Sequence, residues 1–89
     1  MREILYHRCA SRALKKIPVD RKEQIKAAIV TMAKQPNVLS HPSVKVMQGD
    51  WMNCMRLRVG TYRVIFRIVG DPSCERIEVL EAGPRGDIY

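Results

Sequence analysis

The spacing of apolar residues divides the chain into a helical first half and a β-rich second half. Residues 2–7 contain a short apolar run between charged side chains, which predicts an opening strand. From Cys9 to Ile17 the apolar residues recur at helical spacing. This pattern predicts a short helix that ends before Pro18, because the residue preceding a proline disfavours helical geometry.

A second helix is predicted by an apolar stripe at positions i, i+3, i+4 and i+7. The stripe consists of Ile25, Ala28, Ile29 and Met32. Asp20, followed by Glu23 three residues later, predicts a capping box at the start of this helix. Its end is expected near Lys34, before Pro36. Two helices joined by a few residues predict an αα-hairpin.

The period of the apolar pattern changes from 3.6 to 2 after a loop at residues 36–42. The change predicts a strand that begins at Val44, strands over residues 53–59, 62–69 and 76–80, and turns at Gly49-Asp50, Gly60-Thr61 and 70–73. The predicted order is β-α-α-β-β-β, with residues 81–89 as a tail. We therefore expect an α+β fold in which two N-terminal helices pack on one face of a mostly antiparallel sheet.

The two-residue turn at Gly60-Thr61 fixes the register of the predicted hairpin. One face is apolar and pairs, outward from the turn, Val59 with Tyr62, Leu57 with Val64, and Met55 with Phe66. The other face pairs Arg58 with Arg63 and Arg56 with Ile65, and places Cys54 opposite Arg67. The apolar face is expected to lie on the helices.

The arginine face carries like charges opposite each other, which destabilises a sheet by some tenths of a kcal/mol. Residues 53–69 contain no Asp or Glu to offset this repulsion. Because arginine binds phosphate through a planar, bidentate fork, the face is interpreted as an anion-binding surface. The alternative is a solvated face on which the long side chains spread apart.

Composition indicates one globular domain over residues 1–89, with 46% hydrophobic and 28% charged residues. No apolar stretch approaches the roughly 20 residues that span a bilayer, and no signal-peptide pattern opens the chain. We expect a cytoplasmic protein without a membrane partner. The spacings of Cys9, Cys54 and Cys74 match no metal or redox motif, and His7 and His41 stand alone. No metal and no cofactor is expected.

The net charge of +7 and the pI of about 9.8 indicate a polyanionic partner or an acidic protein partner. Residues 1–44 carry nine Lys/Arg against three Asp/Glu, a balance of +6. Residues 45–89 carry seven against six, a balance of +1. The arginine hairpin is therefore expected to act through the positions of its charges and not through the net charge of its half of the chain.

Two segments carry a family resemblance. Residues 56–66 read Arg-Leu-Arg-Val-Gly-Thr-Tyr-Arg-Val-Ile-Phe, and residues 83–89 read Gly-Pro-Arg-Gly-Asp-Ile-Tyr. Together with the upstream β-α-α order they resemble the RelE/ParE toxin superfamily, with its basic strand, Gly-x-Tyr-Arg turn and late Gly-x-Arg…Tyr ending. The resemblance covers essentially the whole chain and favours the RelE-like branch.

By this resemblance the chain is expected to be the toxin of a type II toxin–antitoxin system that cleaves mRNA in the ribosomal A site and so inhibits translation. The implied reaction is metal-independent attack of a ribose 2′-OH on the adjacent phosphate, which leaves a 2′,3′-cyclic phosphate. The implied partners are a cognate RelB-like antitoxin, the ribosome and mRNA.

The resemblance implies catalytic roles for four residues. Arg63 is expected to stabilise the phosphate in the transition state, and Arg85 to lie near the scissile phosphate. Tyr89 is expected to stack on a base and to assist proton transfer. Arg56 stands where RelE-type enzymes often carry a lysine. The residues expected to bind RNA are Lys45, Arg58 and Arg67.

Two departures from the family pattern concern the general base. Cys54 occupies a position where some members have a second lysine, and Arg56 cannot lose a proton. Tyr89 is the first candidate for the base, with Lys45 and His41 as alternatives.

Two further functions are compatible with the same sequence. One is a ParE-type DNA gyrase inhibitor on the same fold, and the other is a non-catalytic degenerate toxin or co-repressor. In each case an acidic antitoxin with an amphipathic helix is expected to bind in an apolar groove or across the basic face. The candidate groove residues are Met32, Met47, Met52 and Met55.

Overall fold

A computed structural model of the protein describes residues 2–47, 53–71 and 73–84. Two helices pack on a five-stranded sheet within these ranges. The elements are β1 (Glu3–Tyr6), α1 (Arg8–Lys15), α2 (Val19–Ala33), β2 (Val44–Val46), β3 (Met55–Val59), β4 (Tyr62–Asp71) and β5 (Cys74–Pro84). A single 3₁₀ turn, Val38–Ser40, precedes β2. The expected α+β class, with both helices on the sheet, is confirmed.

The strands lie in the order β1-β5-β4-β3-β2. Only the pairing of β1 with β5 is parallel among those described, so the sheet is mostly antiparallel, as expected. Four strands follow the helices, one at each of the four segments with a predicted strand, whereas the predicted order β-α-α-β-β-β counts only three. The reason is that Val44–Val46 pairs with β3 as a separate strand, with Val44 opposite Leu57.

The last strand is longer than the predicted 76–80. It runs to Pro84, because β4 is long enough to pair with it as far as Tyr62 opposite Pro84. Residues 81–84 therefore belong to the sheet and not to the expected tail. The remainder of that tail, 85–89, and the turn at Gly49-Asp50 lie outside the described residues.

Helix α2 starts without the predicted capping box. Pro18 is the N-cap and makes no side-chain cap hydrogen bond, and Asp20 already lies within the first turn. The helical ladder begins when the Lys22 N–H donates to the Pro18 carbonyl at 2.8 Å. Proline suits this position because its fixed φ is compatible with helix entry. The Asp20 carboxylate still favours the positive end of the helix dipole.

The main core lies between the helices and one face of the sheet. Its fully buried side chains include Ile25, Ile29, Met32, Leu57, Val64, Phe66, Ile77 and Val79. The hairpin register is confirmed at five of the six predicted pairs, from Val59 opposite Tyr62 to Met55 opposite Phe66. The sixth, Cys54 with Arg67, is not formed as a strand pair, because β3 begins at Met55. Gly60 has φ +61° at the first turn position, which glycine adopts without strain. The predicted apolar face of the hairpin thus packs on the helices.

Candidate nucleic-acid interface

Four basic residues share the sheet face that points away from the helices, which we call the outer face. Lys45 on β2 lies opposite Arg56 on β3, and Arg58 on β3 lies opposite Arg63 on β4. Residues directly opposite each other in neighbouring strands project to the same side of a sheet. The register therefore gathers Lys45, Arg56, Arg58 and Arg63 across three strands. We call these four residues the basic cluster.

The members of the basic cluster differ in exposure. Arg63 is only 8% exposed, Arg56 is half-buried, and Lys45 and Arg58 are exposed. Gly83 on β5 lies directly opposite Arg63 and has no side chain, so it leaves room for the arginine there. The cluster thus combines a sequestered guanidinium with two cations that face solvent.

A small second apolar core interrupts the outer face. Met47, Cys54 and Ile65 are buried together, and Leu80 packs against them. The registers of β4 and β5 shift between Ile65 and Phe66, which forms a bulge at Leu80. The outer face thus includes apolar residues beside its cations, among them Ile65, which the predicted register already placed opposite Arg56. It also follows that Cys54 occupies an apolar site, in which the ammonium of a lysine would be costly to bury.

The far end of the outer face is organised by a buried carboxylate, Glu78 on β5, which is 6% exposed. Arg67 donates from Nε to Glu78 Oε1 at 2.7 Å. Arg76 lies 3.3 Å from Oε2, and His7 Nε2 lies 3.4 Å from Oε1. We call these residues the Glu78 cluster. The hydrogen bond from Arg67 lowers the pKa of Glu78, with further contributions from His7 and Arg76, although burial opposes the shift.

Residues 4–89 match the family model of the ParE toxin of type II toxin–antitoxin systems, parDE. The chain belongs to this toxin family. The expected membership of the RelE/ParE superfamily is thereby confirmed, although the matching model is that of ParE. No curated protein sequence matches the toxin.

Solved toxin structures share the fold over nearly the whole chain. One is the RelB–RelE antitoxin–toxin complex of Methanococcus jannaschii, with 25% identity, a TM-score of 0.72, and coverage of 96% of this chain and 94% of that one. The RelE–RelB complex of Pyrococcus horikoshii OT3 gives 22% identity, a TM-score of 0.74, and 97% coverage of each chain. The YoeB/ParE toxin of Agrobacterium tumefaciens gives 15% identity, a TM-score of 0.70, and 93% and 98% coverage.

The structure places the predicted site residues of the toxin in two groups. Lys45, Arg56, Arg58 and Arg63 come together in the basic cluster. Arg67 lies apart from them, opposite Glu78. Arg85 and Tyr89 lie outside the described residues.

Sequence reasoning missed Glu78. The hairpin itself has no acidic residue, and the carboxylate that neutralises Arg67 comes from the next strand. A signal was present in the alternation of Arg76-Ile77-Glu78-Val79, which puts Glu78 on the polar side of its strand. Its register against Arg67 was not readable from the sequence, because a bulge shifts the pairing of β4 with β5.

The expected methionine groove is not formed by the described residues. Met32 is buried in the main core, and Met55 packs against that core. Met47 belongs to the second apolar core on the outer face. The three therefore contribute to two cores on opposite faces of the sheet, and Met52 lies outside the described residues.

Within the described residues no helix is long and apolar enough to cross a membrane. The same part of the chain contains no group of three or more His, Cys, Asp or Glu side chains placed to hold a metal ion.

Proposed function

We propose that this toxin is an endoribonuclease that inhibits translation by cleaving mRNA in the ribosomal A site. The observation that carries the proposal is the convergence of Lys45, Arg56, Arg58 and Arg63 on one sheet face. Contacts from Lys and Arg to phosphate position a nucleic-acid backbone, and arginine adds bidentate geometry. A rigid sheet holds these donors more precisely than a loop would.

The proposed reaction is an internal phosphoryl transfer. The ribose 2′-oxygen forms a bond to phosphorus while the bond to the 5′-oxygen of the next nucleotide breaks. The products are a 2′,3′-cyclic phosphate and a 5′-hydroxyl. Negative charge grows on the non-bridging oxygens in the transition state, and fixed cations aimed at that charge lower the barrier. Arg63 fits this role, because its burial at the centre of the sheet restricts its motion and its screening by water.

Proton transfer is assigned to the C-terminal residues of the family motif. The 2′-hydroxyl must lose a proton and the 5′-oxygen must gain one. Tyr89 is proposed to assist this transfer, with Arg85 beside the scissile phosphate. Lys45 is a second candidate, since it lies opposite Arg56. His41 is less suitable, because its Nδ1 already accepts the Ser43 N–H at 3.1 Å, so a neutral ring carries its proton on Nε2.

RNA binding is proposed to rest on Lys45 and Arg58, with a smaller contribution from Arg67. Lys45 and Arg58 are exposed and face the same solvent region as Arg56. The side chain of Arg67 is 46% exposed, but its Nε–H is committed to Glu78. A buried carboxylate at 2.7 Å offsets the field that Arg67 presents to a phosphate.

A RelB-like antitoxin is the proposed protein partner. Residues 81–84 of β5 lie beyond the part of this strand that pairs with β1. They border a groove of about 550 Å³ next to α1. Ala13, Ile17 and Tyr62 provide apolar lining, and the two cations Arg12 and Lys16 outnumber the one acidic lining residue, Glu81. An acidic segment with an apolar stripe matches this combination.

The experiment is a map of mRNA 5′ ends after the toxin is induced in cells. Cuts confined to translated reading frames are expected, and Arg85→Ala should abolish them. Arg76→Gln serves as the control arginine variant, since Arg76 lies on the outer face in the Glu78 cluster and not in the basic cluster. Growth arrest with intact mRNA would overturn the proposal, as would equal loss of cuts in both variants.

A second candidate function is inhibition of DNA gyrase, which the match to the ParE toxin model favours. In that case the basic cluster would bind the protein target and not RNA. A supercoiling assay with purified gyrase separates the two functions. The nuclease proposal expects unchanged supercoiling at toxin concentrations that cleave mRNA, whereas a ParE-type activity expects loss of supercoiling without RNA fragments.

A further inference from the structure

The helical hairpin carries a second concentration of positive charge, on the side of the sheet opposite the basic cluster. Residues 8–34 contain eight Lys/Arg and two Asp/Glu, a balance of +6. Part of this charge surrounds a cleft between α1, α2 and β1 with a volume of about 320 Å³. Tyr6, Ser11, Leu14, Lys15, Lys22 and Lys26 line this cleft, which we call the lysine cleft.

Helical spacing directs the three lysines into the cleft. Ser11 and Lys15 are four residues apart on α1, and Lys22 and Lys26 are four residues apart on α2. Residues at i and i+4 lie on the same side of a helix. Each helix therefore contributes one i,i+4 pair to the cleft, and the two pairs line it from separate helices.

This arrangement is unfavourable for the helices on their own. Like charges at i and i+4 destabilise a helix by roughly 0.2–0.5 kcal/mol per pair, which applies to Lys22 and Lys26. Among the described residues, no Asp or Glu lines the cleft, and no ion pair involves Lys15, Lys22 or Lys26.

The cleft also supplies neutral hydrogen-bond donors. The Ser11 hydroxyl and the Tyr6 phenol both belong to half-buried residues. Burial raises the pKa of Tyr6 above its ordinary value, so the phenol keeps its proton at neutral pH and is able to donate. Leu14, which is buried, closes the cleft floor with apolar atoms.

We infer that the lysine cleft is a binding site for a phosphate group, independent of the proposed nuclease site. Lysine ammonium groups together with serine and tyrosine hydroxyls are a donor set that proteins use on phosphate oxygens. A phosphate offers more acceptor oxygens than a single carboxylate, and so it satisfies three ammonium groups at once. The phosphate comes either from an RNA backbone or from a free oligophosphate, and both sources share this chemistry.

The test compares two double variants of equal net charge. Lys22→Gln with Lys26→Gln removes two cations from the cleft, and Arg21→Gln with Lys34→Gln removes two cations that line neither the cleft nor the groove next to α1. The first probe is inorganic tripolyphosphate, titrated by calorimetry at low salt. The cleft variant should bind at least tenfold more weakly than the unmodified toxin, and the control variant less than threefold more weakly. Thermal melting of both variants checks that the fold is intact.

The second probe is a 12-nucleotide 2′-O-methyl RNA, which lacks the attacking hydroxyl and is not cleaved. If an RNA backbone occupies the cleft, the slope of log K against log salt should fall by about 1.4 in the cleft variant, at roughly 0.7 per lost contact with a single strand. The control should keep its slope. Tripolyphosphate binding that depends on the cleft, with an unchanged RNA slope, identifies a free oligophosphate as the ligand.

Two outcomes would overturn the inference. Equal weakening in both double variants would show that only net charge matters. Cleft-dependent binding of a polyglutamate peptide, as tight as that of tripolyphosphate, would show that the cleft binds acidic protein segments instead. Because neither probe reports cleavage, failure of this inference is distinguishable from failure of the nuclease proposal.

Discussion

The two ends of the outer face contain arginines from the same hairpin in opposite electrostatic settings. Arg67 lies opposite Glu78, a buried carboxylate that also contacts Arg76 and His7. Arg58 lies opposite another arginine, Arg63, and makes no ion pair with a carboxylate of the described residues. One end thus pairs its arginine with a carboxylate across the strands, whereas at the other end the cross-strand neighbour of Arg58 is a second arginine.

The difference shows that the cross-strand neighbour determines the role of an arginine on a sheet. At the Glu78 cluster, positive charge holds a buried carboxylate and links β4 and β5 to His7, the residue between β1 and α1. At the basic cluster, the repulsion between Arg58 and Arg63 costs some stability. A cost of this kind is typical of binding and catalytic sites, where function requires charges that folding alone disfavours.

The largest expected effect is on catalysis by Arg63. Arg63→Gln should reduce mRNA cleavage by roughly 10²–10³-fold, the loss typical of removing one donor that stabilises transition-state charge. Cleavage is measured as single-turnover fragment formation on translating ribosomes. Because Arg63 is buried, the melting temperature of the Arg63→Gln variant is measured in parallel. A second variant, Arg63→Lys, removes the guanidinium but keeps the positive charge. A folded Arg63→Gln toxin with full activity would contradict this role.

The next prediction compares Arg58 with Arg67 directly. Arg58→Gln should weaken binding of a non-cleavable RNA by about tenfold, the equivalent of one charged hydrogen bond. Arg67→Gln should weaken it less than about threefold, because Glu78 already offsets that charge. Both are measured by fluorescence anisotropy at one salt concentration. If Arg67→Gln had the larger effect, the division of the outer face into two roles would be wrong.

The Glu78 cluster should make stability depend on acid pH. The pKa of folded Glu78 lies below its ordinary value of 4.5, so the carboxylate stabilises the fold above that value. This contribution is lost as the pH falls from 4.5 through the lower pKa of the folded state. Glu78→Gln should be less stable than the unmodified toxin at pH 7, with a shallower decline in melting temperature over the acid range. Parallel pH curves for the two proteins would rule out the proposed linkage.

The smallest expected effect is a gain in stability at the basic cluster. Arg58→Thr removes a like-charge pair and adds a good strand former, so unfolding free energy should rise by about 0.2–1 kcal/mol. Urea denaturation measures the change, and the same variant should bind RNA more weakly. A loss of stability would indicate that Arg58 is held by favourable contacts within the fold.

The sequence predicts the hairpin of β3 and β4, because its register depends only on residues that are close together in the chain. Alternation from Met55 to Phe66 and a two-residue turn determine the register and the buried face without reference to any other strand. The αα-hairpin also follows from apolar spacing. Its predicted capping box does not form, since the N-cap of α2 is Pro18, two residues before Asp20.

The other features depend on long-range pairing. The partnership of Arg67 with Glu78 requires the register between β4 and β5, which a bulge at Leu80 displaces. The burial of Cys54 requires contact with Met47 and Ile65 from two other segments. The lysine cleft likewise depends on how α1 and α2 pack. Local periodicity carries no information about these contacts.

The most direct test of the nuclease proposal replaces the attacking hydroxyl in the RNA. Purified toxin is added to ribosomes stalled on a short mRNA that carries either ribose or 2′-deoxyribose at the cleaved nucleotide. The proposed mechanism expects a fragment ending in a 2′,3′-cyclic phosphate from the ribose substrate and no cleavage of the 2′-deoxy substrate. Equal cleavage of both substrates, or no cleavage of either by a toxin that arrests gyrase, would contradict it.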